Sequence, residues 1–138
     1  MSTSDPRTMT EFDLRRLDAL AQRLRDHVRP PASPSPLERE LARAVSVKPE
    51  EIPGTVVTMN SQVEVVDLVT DERRSVTVVF PAMASVEAGR VSVLATLGTA
   101  LIGNCEGARV AWQSPSGPRQ LQVERVLFQP EAAGRFDL

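Results

Sequence analysis

Histidine and cysteine, two residue types that often act in catalysis, each occur once in the 138-residue chain, as His27 and Cys105. A catalytic histidine would need a nucleophile or a carboxylate partner, and no such partner is recognisable beside His27 in the sequence. We expect His27 to complement the C-terminus of a helix instead. Because Cys105 is alone, the chain can form neither an intrachain disulfide nor a thiolate-rich metal site. The sequence therefore predicts structural or incidental roles for both residues.

Two pairs of adjacent carboxylates, Glu50-Glu51 and Asp71-Glu72, could in principle hold a divalent cation. The first pair lies in a proline-bounded connector and the second in a predicted hairpin turn, where acidic residues are common and solvated. The chain also has no phosphate-binding glycine loop, no dinucleotide-binding glycine motif and no zinc spacing. We therefore expect no catalytic residues, no bound metal and no cofactor, and a protein that is not an enzyme.

The overall composition argues against nucleic acid and membrane as direct partners. The net charge is −2, and four phenylalanines, one tryptophan and no tyrosine leave no interleaved basic and aromatic surface. No apolar run approaches the roughly 18 residues that a membrane span needs, and no signal-peptide pattern opens the chain. These features predict a cytoplasmic protein.

The first third of the chain predicts an antiparallel helical hairpin. Thr10 is a suitable N-cap for a helix reaching Val28, after frayed residues 1–9. The prolines of RPPASPSP end this helix, and Ser35, with Glu38 three residues later, forms a capping box for a second helix reaching Ser46. The two arms would be about 28 Å and 16 Å long. The first carries a coiled-coil-like seam made of Leu14, Leu17, Ala21, Leu24 and Val28.

The remainder alternates like a sheet around one short helix. Strands are predicted at 56–59, 62–68, 75–80, 90–94, 109–113 and 120–128, with a helix at 97–101 that Gly103 ends. Short connections favour antiparallel pairing, so the fold class is α+β. A proline-rich connector divides the chain into a hairpin at 1–48 and a sheet domain at 49–138. The predicted core residues are Ile102, Val110, Trp112, Leu121, Val123, Val126 and Phe128.

Three stretches carry a resemblance to a known family: VVTMNSQVEVVDL (56–68), VSVLATLGTALIG (91–103) and VERVLFQPEAAG (123–134). They resemble the Gre transcript-cleavage factors of bacterial RNA polymerase, and more closely the Rnk family, the regulators of nucleoside diphosphate kinase. The resemblance covers about residues 37–138. It implies an FKBP-like C-terminal domain behind a short hairpin, and binding to RNA polymerase near the mouth of its secondary channel, in competition with longer-hairpin factors.

Two departures from the Gre pattern shape what the resemblance implies. Gre factors typically have Ser-Pro where this chain has Ala95-Thr96, and acidic residues at the hairpin tip that help to hold a catalytic metal. Here no carboxylate occurs between His27 and Leu37. The resemblance therefore implies polymerase binding without stimulation of transcript cleavage. The residues that it implies as contacts are Ala95, Thr96, Leu97 and Gly98.

Three other interpretations stay open at this point. The family name implies regulation of nucleoside diphosphate kinase, direct or through transcription. An FKBP-like fold also suggests a prolyl isomerase, although the aromatic pocket of such enzymes includes tyrosine, which this chain lacks. The seam from Leu14 to Val28 could instead pair two copies of the hairpin.

Overall fold

The computed structural model describes residues 7–26, 35–136 and 138. Within these residues the architecture is α+β, as predicted, with a curled sheet and three α-helices. The helices are α1 Glu11–Arg25, α2 Pro36–Arg43 and α3 Thr96–Leu101, with single 3₁₀ turns at Pro49–Glu51 and Pro81–Met83. The strands are β1 Thr8–Thr10, β2 Val45–Val47, β3 Gln62–Asp67, β4 Arg73–Val79, β5 Arg90–Ser92, β6 Arg109–Ser114 and β7 Gly117–Phe128. No helix among these described residues is both long and apolar enough to cross a bilayer.

The main sheet has five strands in the order β5-β4-β3-β7-β6. The pairs β3–β4 and β6–β7 are antiparallel, as their short connections predict, and β3–β7 is antiparallel as well. The β4–β5 pair is parallel, with Thr77 opposite Arg90 and Val79 opposite Ser92, so an all-antiparallel sheet was a wrong prediction. Residues 80–89 form a loop long enough to carry the chain back along β4 before β5 begins.

Residues 56–59 are not a strand, contrary to the sequence prediction. Val57 and Met59 are fully buried, but the segment forms only an isolated bridge between Val56 and Cys105. Its backbone forms hydrogen bonds with the loop after α3 rather than with a neighbouring strand. Val57 N donates to Asn104 O at 2.8 Å, and Gly103 N donates to Val57 O at 2.8 Å. The hydrophobic run therefore marks a buried segment rather than a sheet strand.

Local capping chemistry predicted both helix starts correctly. Asp13 N donates to Thr10 Oγ1 at 2.9 Å, and Ser35 and Glu38 form the reciprocal capping box. Helix α1 ends at Arg25, before the predicted end at Val28. Val28 and His27 lie outside the described residues. Helix α2 ends at Arg43 rather than Ser46, because Val45–Val47 extend to pair in parallel with Thr8–Thr10.

Residues 7–10, directly before α1, are held rather than frayed, while residues 1–6 lie outside the described residues. Met9 is buried, and the side chain of Arg7 donates to the carbonyls of Thr99 and Ile102, with the second bond 3.2 Å long. These carbonyls belong to the end of α3, where backbone oxygens lack intrahelical partners. Arg7 also pairs with Glu40 of α2 at 3.0 Å. The N-terminal strand therefore ties α2 to α3, which the polar composition of residues 1–9 does not indicate.

One hydrophobic core joins the N-terminal helices to the sheet. Leu17, Leu20 and Leu37 belong to the same buried cluster as the inward-facing valines of β3 and β4. Leu24, by contrast, is 45% exposed, so the narrow seam predicted on α1 is wrong and its buried stripe includes Leu20 instead. A helix that packs on a sheet buries a broader face than a coiled-coil seam does.

The predicted core of the sheet is largely correct. The buried members are Ile102, Val110, Leu121 and Val123, while Trp112 and Val126 are partly buried against the cluster. Phe128 is 38% exposed and is not a core residue. It is the last residue of β7 and pairs with Gln62, which is itself exposed at the start of β3.

Candidate functional site

A tight turn between β5 and α3 presents three exposed residues, Leu94, Ala95 and Thr96, which we name the 94–96 turn. Its shape is set by Ser92, whose Oγ accepts from Leu94 N at 3.0 Å and whose carbonyl accepts from Ala95 N at 3.0 Å. Thr96 Oγ1 then donates to Gln113 O of β6 at 2.8 Å. The turn is therefore anchored at both ends while its side chains face solvent.

Buried residues of helix α3 pack against the backbone that forms this turn. Leu97 and Gly98, two of the four residues implied as contacts, are buried. A Cβ atom on Gly98 would lie 2.1 Å from Ser92 O and 2.9 Å from Val93 Cα, so only glycine fits against this backbone. Thr99 Oγ1 donates to Val93 O at 2.6 Å and closes the same corner. Of the four implied residues, Ala95 and Thr96 alone present surface to a partner.

A buried polar cluster lies between α1 and the sheet, and we name it the Asp13 cluster. Asp13 Oδ2 accepts from Met59 N at 3.0 Å, and Asp13 Oδ1 accepts from Arg16 Nη2 at 2.6 Å. On the neighbouring segment, Thr58 Oγ1 donates to Glu131 Oε1 at 2.7 Å. The cluster thus joins α1, the irregular 58–61 segment and the residues that follow β7.

Arg16 is half-buried at the edge of this cluster. Its guanidinium lies 3.9 Å from the ring centroid of Phe12 and 4.8 Å from that of Phe80. Its Nη2 also donates to Leu138 O at 2.9 Å. Contact with two aromatic faces and a carboxylate holds the side chain over the end of β4.

Burial has the largest effect on the pKa values of two carboxyl groups near Arg16, those of Asp13 and Glu131. Desolvation raises the pKa of Asp13, and hydrogen bonds from Met59 and Arg16 offset part of that rise. Burial likewise raises the pKa of Glu131, against the lowering effect of the Thr58 hydroxyl, and the charge of Asp13 adds to the rise. Both groups therefore bind their protons more tightly in the folded chain than in the unfolded chain.

Replacing Glu131 with glutamine tests this electrostatic description. A carboxyl with a raised folded-state pKa stabilises the fold below its unfolded pKa, and this stabilisation is lost as pH rises through the folded pKa. Glutamine keeps an oxygen for Thr58 but does not ionise. We expect the stability of Glu131→Gln relative to the unmodified protein to increase between pH 4 and pH 7, measured by urea unfolding at both values. An equal difference at the two pH values would contradict the description.

The Asp13 cluster was missed because it joins Asp13 to Met59, 46 positions further along the chain, and no local sequence pattern indicates that contact. One signal was available: Asp13 lies four residues before Leu17 and seven before Leu20, on the face of α1 that is buried. Cys105 is exposed, as are the acids of the two predicted pairs, while His27 lies outside the described residues. Among the described residues, no group of three or more histidine, cysteine or acidic side chains could hold a metal ion.

Curated proteins of the following two kinds are similar to this chain. A regulator of nucleoside diphosphate kinase from Escherichia coli K12 is 42% identical over 101 residues, which cover 72% of this chain and 74% of the relative. The transcription elongation factor GreA of Vibrio parahaemolyticus is 35% identical over 88 residues, which cover 64% of this chain and 55% of that protein.

Solved structures show the same relationship at the level of the fold. A GreA/GreB transcription elongation factor from Nitrosomonas europaea superposes with a TM-score of 0.73 at 35% identity, over 88% of this chain and 99% of that one. The GreA factor homolog 1 of Thermus thermophilus gives a TM-score of 0.51 at 25% identity, over 90% of this chain and 100% of that one. The model of the C-terminal domain of the GreA/GreB transcription elongation factors matches residues 52–128. The chain therefore belongs to the GreA/GreB C-terminal family and, within it, to the Rnk relatives.

Proposed function

We propose that this protein is a non-enzymatic transcription regulator that binds RNA polymerase near its secondary channel without stimulating transcript cleavage. The observation that carries the proposal is the family membership, because the matched domain is the one shared with the elongation factors. In this proposal an FKBP-like domain at 49–138 docks on the polymerase, and residues 1–48 form a short antiparallel hairpin whose described helices pack against that domain. The ion pair between Arg25 and Glu38 at 3.2 Å, which joins the end of α1 to the first turn of α2, supports such a hairpin.

Both the charge and the length of the N-terminal segment disfavour stimulation of cleavage. A factor that assists cleavage in the polymerase active site must carry metal-binding carboxylates to it, and the segment from residue 28 to residue 36 contains none. The described arms have 15 and 8 residues, or about 22 Å and 12 Å of helix. A short arm without acids at its tip can occupy the channel mouth but cannot supply the catalytic metal site.

The 94–96 turn is the proposed contact with the polymerase. Its exposed side chains are small or apolar, and it is fixed by Ser92 and Gln113, so little conformational entropy is lost on docking. Leu97 and Gly98 contribute by holding this shape rather than by touching the partner. Leu94, 38% exposed, offers the one large apolar side chain of the turn.

Replacing Ala95 with arginine tests the contact directly. The new side chain would project from an exposed position and should weaken binding to core RNA polymerase at least about tenfold, because it brings a bulky charge into a close-packed interface. Val69→Arg is the matched control, since Val69 is 82% exposed in the turn between β3 and β4. Binding is measured in a pull-down with purified core enzyme. Equal binding by the two variants would show that the 94–96 turn is not part of the interface. Failure of the unmodified protein to bind at micromolar concentration would contradict the proposal itself.

A second candidate function follows from the regulator of nucleoside diphosphate kinase that resembles this chain. It predicts an altered kinase level or activity when this protein is removed. Measuring kinase protein, kinase activity and direct binding in parallel separates two routes. A changed level without binding indicates a transcriptional route that agrees with the first proposal, whereas binding with inhibition or activation indicates a direct one.

A further inference from the structure

The carbonyl groups of residues 99–102, at the end of α3, all have hydrogen-bond partners outside the helix. Asn104 supplies the middle two bonds, one from its side-chain amide at 2.6 Å and one from its backbone N–H at 3.1 Å. The first and last carbonyls, those of Thr99 and Ile102, accept from the side chain of Arg7. Because Arg7 lies 92 positions before Thr99, the end of α3 is capped in part by the N-terminal segment.

Helix α3 depends on this cap because it is short. Six residues make fewer than two turns and form few internal hydrogen bonds, so packing and capping supply most of the stability of such a helix. A cation is also favoured at a helix C-terminus by the dipole. The N-terminal segment lies directly against this end, since a Cβ atom on Gly103 would lie 2.7 Å from Arg7 Cβ. Displacing Arg7 would therefore remove contacts that α3 cannot replace by itself.

The position of Arg7 is in turn fixed by the N-terminal hairpin. Its Nε pairs with Glu40 Oε1 of α2 at 3.0 Å, and only 16% and 21% of the two side chains are exposed. Its backbone carbonyl accepts from Val45 N at 2.7 Å, where β2 begins. An ion pair that is largely withdrawn from water is screened less than a surface pair. The position of α2 therefore determines where the guanidinium of Arg7 meets α3.

We propose that Arg7 is a positioning residue for the 94–96 turn, and that it couples the position of α2 to this turn through α3. The helix begins at Thr96, inside the turn, and Thr99 N donates to Ala95 O at 2.9 Å. The carbonyl of Thr99 accepts from Arg7, so the same residue is bonded to the turn at one end and to the N-terminal segment at the other. The role of the turn as a polymerase contact rests on the proposed function, whereas the coupling does not.

Amide hydrogen exchange, measured residue by residue by NMR, tests the coupling in the protein alone. The amides of Leu94 and Ala95 both donate to Ser92 in the turn, at the opposite end of α3 from Arg7. Arg7→Ala should raise their exchange rates at least about fivefold, because the helix that follows the turn loses its cap. Glu40→Ala should raise the same rates by a smaller factor. In the Arg7→Ala background it should add nothing, since its effect passes through Arg7.

Asp67→Ala is the matched control. It also removes a partly buried ion pair, the 2.9 Å contact with Arg119, but in the turn after β3. We expect it to leave exchange in the 94–96 turn unchanged. In binding assays with core RNA polymerase, Arg7→Ala should bind at least about threefold more weakly than this control. If the unmodified protein does not bind polymerase, the proposed function fails, and the exchange comparison still decides whether the coupling exists.

Two outcomes would overturn the proposal. One is faster exchange in Arg7→Ala that is confined to residues 99–103, with Leu94 and Ala95 matching the Asp67→Ala control, because Arg7 would then be a local cap only. The other is an equal effect of Glu40→Ala with and without Arg7, because α2 would then act by another route. Circular dichroism checks that each variant is folded. If Arg7→Ala does not fold, unchanged exchange of both turn amides in Glu40→Ala overturns the proposal instead.

Discussion

Asp13→Ala is expected to lower the free energy of unfolding by about 3 kcal/mol, the low end of the range for removing one partner of a buried ion pair. The substitution leaves the buried Met59 N–H without its acceptor and Arg16 without its carboxylate. The cost stays at the low end for two reasons. Arg16 keeps contact with water, with 27% of its side chain exposed, and desolvation already disfavours the ionised form of Asp13.

Two further variants show whether the effect comes from the cluster. Asp13→Asn keeps an oxygen for Met59 N–H and should recover part of the loss. Asp18→Ala, on the exposed face of the same helix, should change stability by no more than about 0.5 kcal/mol. Chemical denaturation of all three gives the comparison. Similar losses for Asp13→Ala and Asp18→Ala would show that the cluster contributes nothing beyond a surface charge.

Gly98→Ala is expected to cost about 3 kcal/mol, at the upper end for overpacking. Alanine is the better helix former by about 1 kcal/mol, yet the added Cβ would lie within 3.0 Å of three backbone atoms of Ser92 and Val93. Backbone cannot rotate away as a side chain can, so α3 must separate from the corner that shapes the 94–96 turn. We expect the same variant to weaken polymerase binding, although Gly98 itself is buried.

Gly54→Ala is the matched control for this prediction. A Cβ at Gly54 would lie 3.7 Å from Ala132 Cβ, an ordinary van der Waals contact. Its free energy of unfolding should therefore stay within about 0.5 kcal/mol of the unmodified protein. If Gly98→Ala unfolds at the same denaturant concentration as Gly54→Ala, the close packing of α3 on Ser92 is not a source of stability.

Features encoded by neighbouring residues were predictable from the sequence. The N-cap at Thr10 and the capping box at Ser35 each depend on residues no more than three positions apart. The turn at 114–117 and the left-handed conformation of Gly103, with φ of 81°, are equally local.

Features that depend on distant segments were not predictable. The parallel pairing of β5 with β4 and the irregular course of 56–59 follow from what packs beside them, rather than from their own periodicity. The Asp13 cluster joins residues 46 and 73 positions apart in the chain. Of the four residues proposed as contacts, Ala95 and Thr96 are exposed, whereas the burial of Leu97 and Gly98 could be seen only in the fold.

The most direct test of the proposed function is a transcript-cleavage assay with a stalled RNA polymerase complex and a GreA factor active on that polymerase. We expect this protein alone to produce no cleavage, and increasing amounts of it to suppress GreA-stimulated cleavage, with Ala95→Arg suppressing at least about tenfold less effectively. Cleavage by this protein alone would contradict the account, and so would GreA-stimulated cleavage that persists unchanged at a large excess of it.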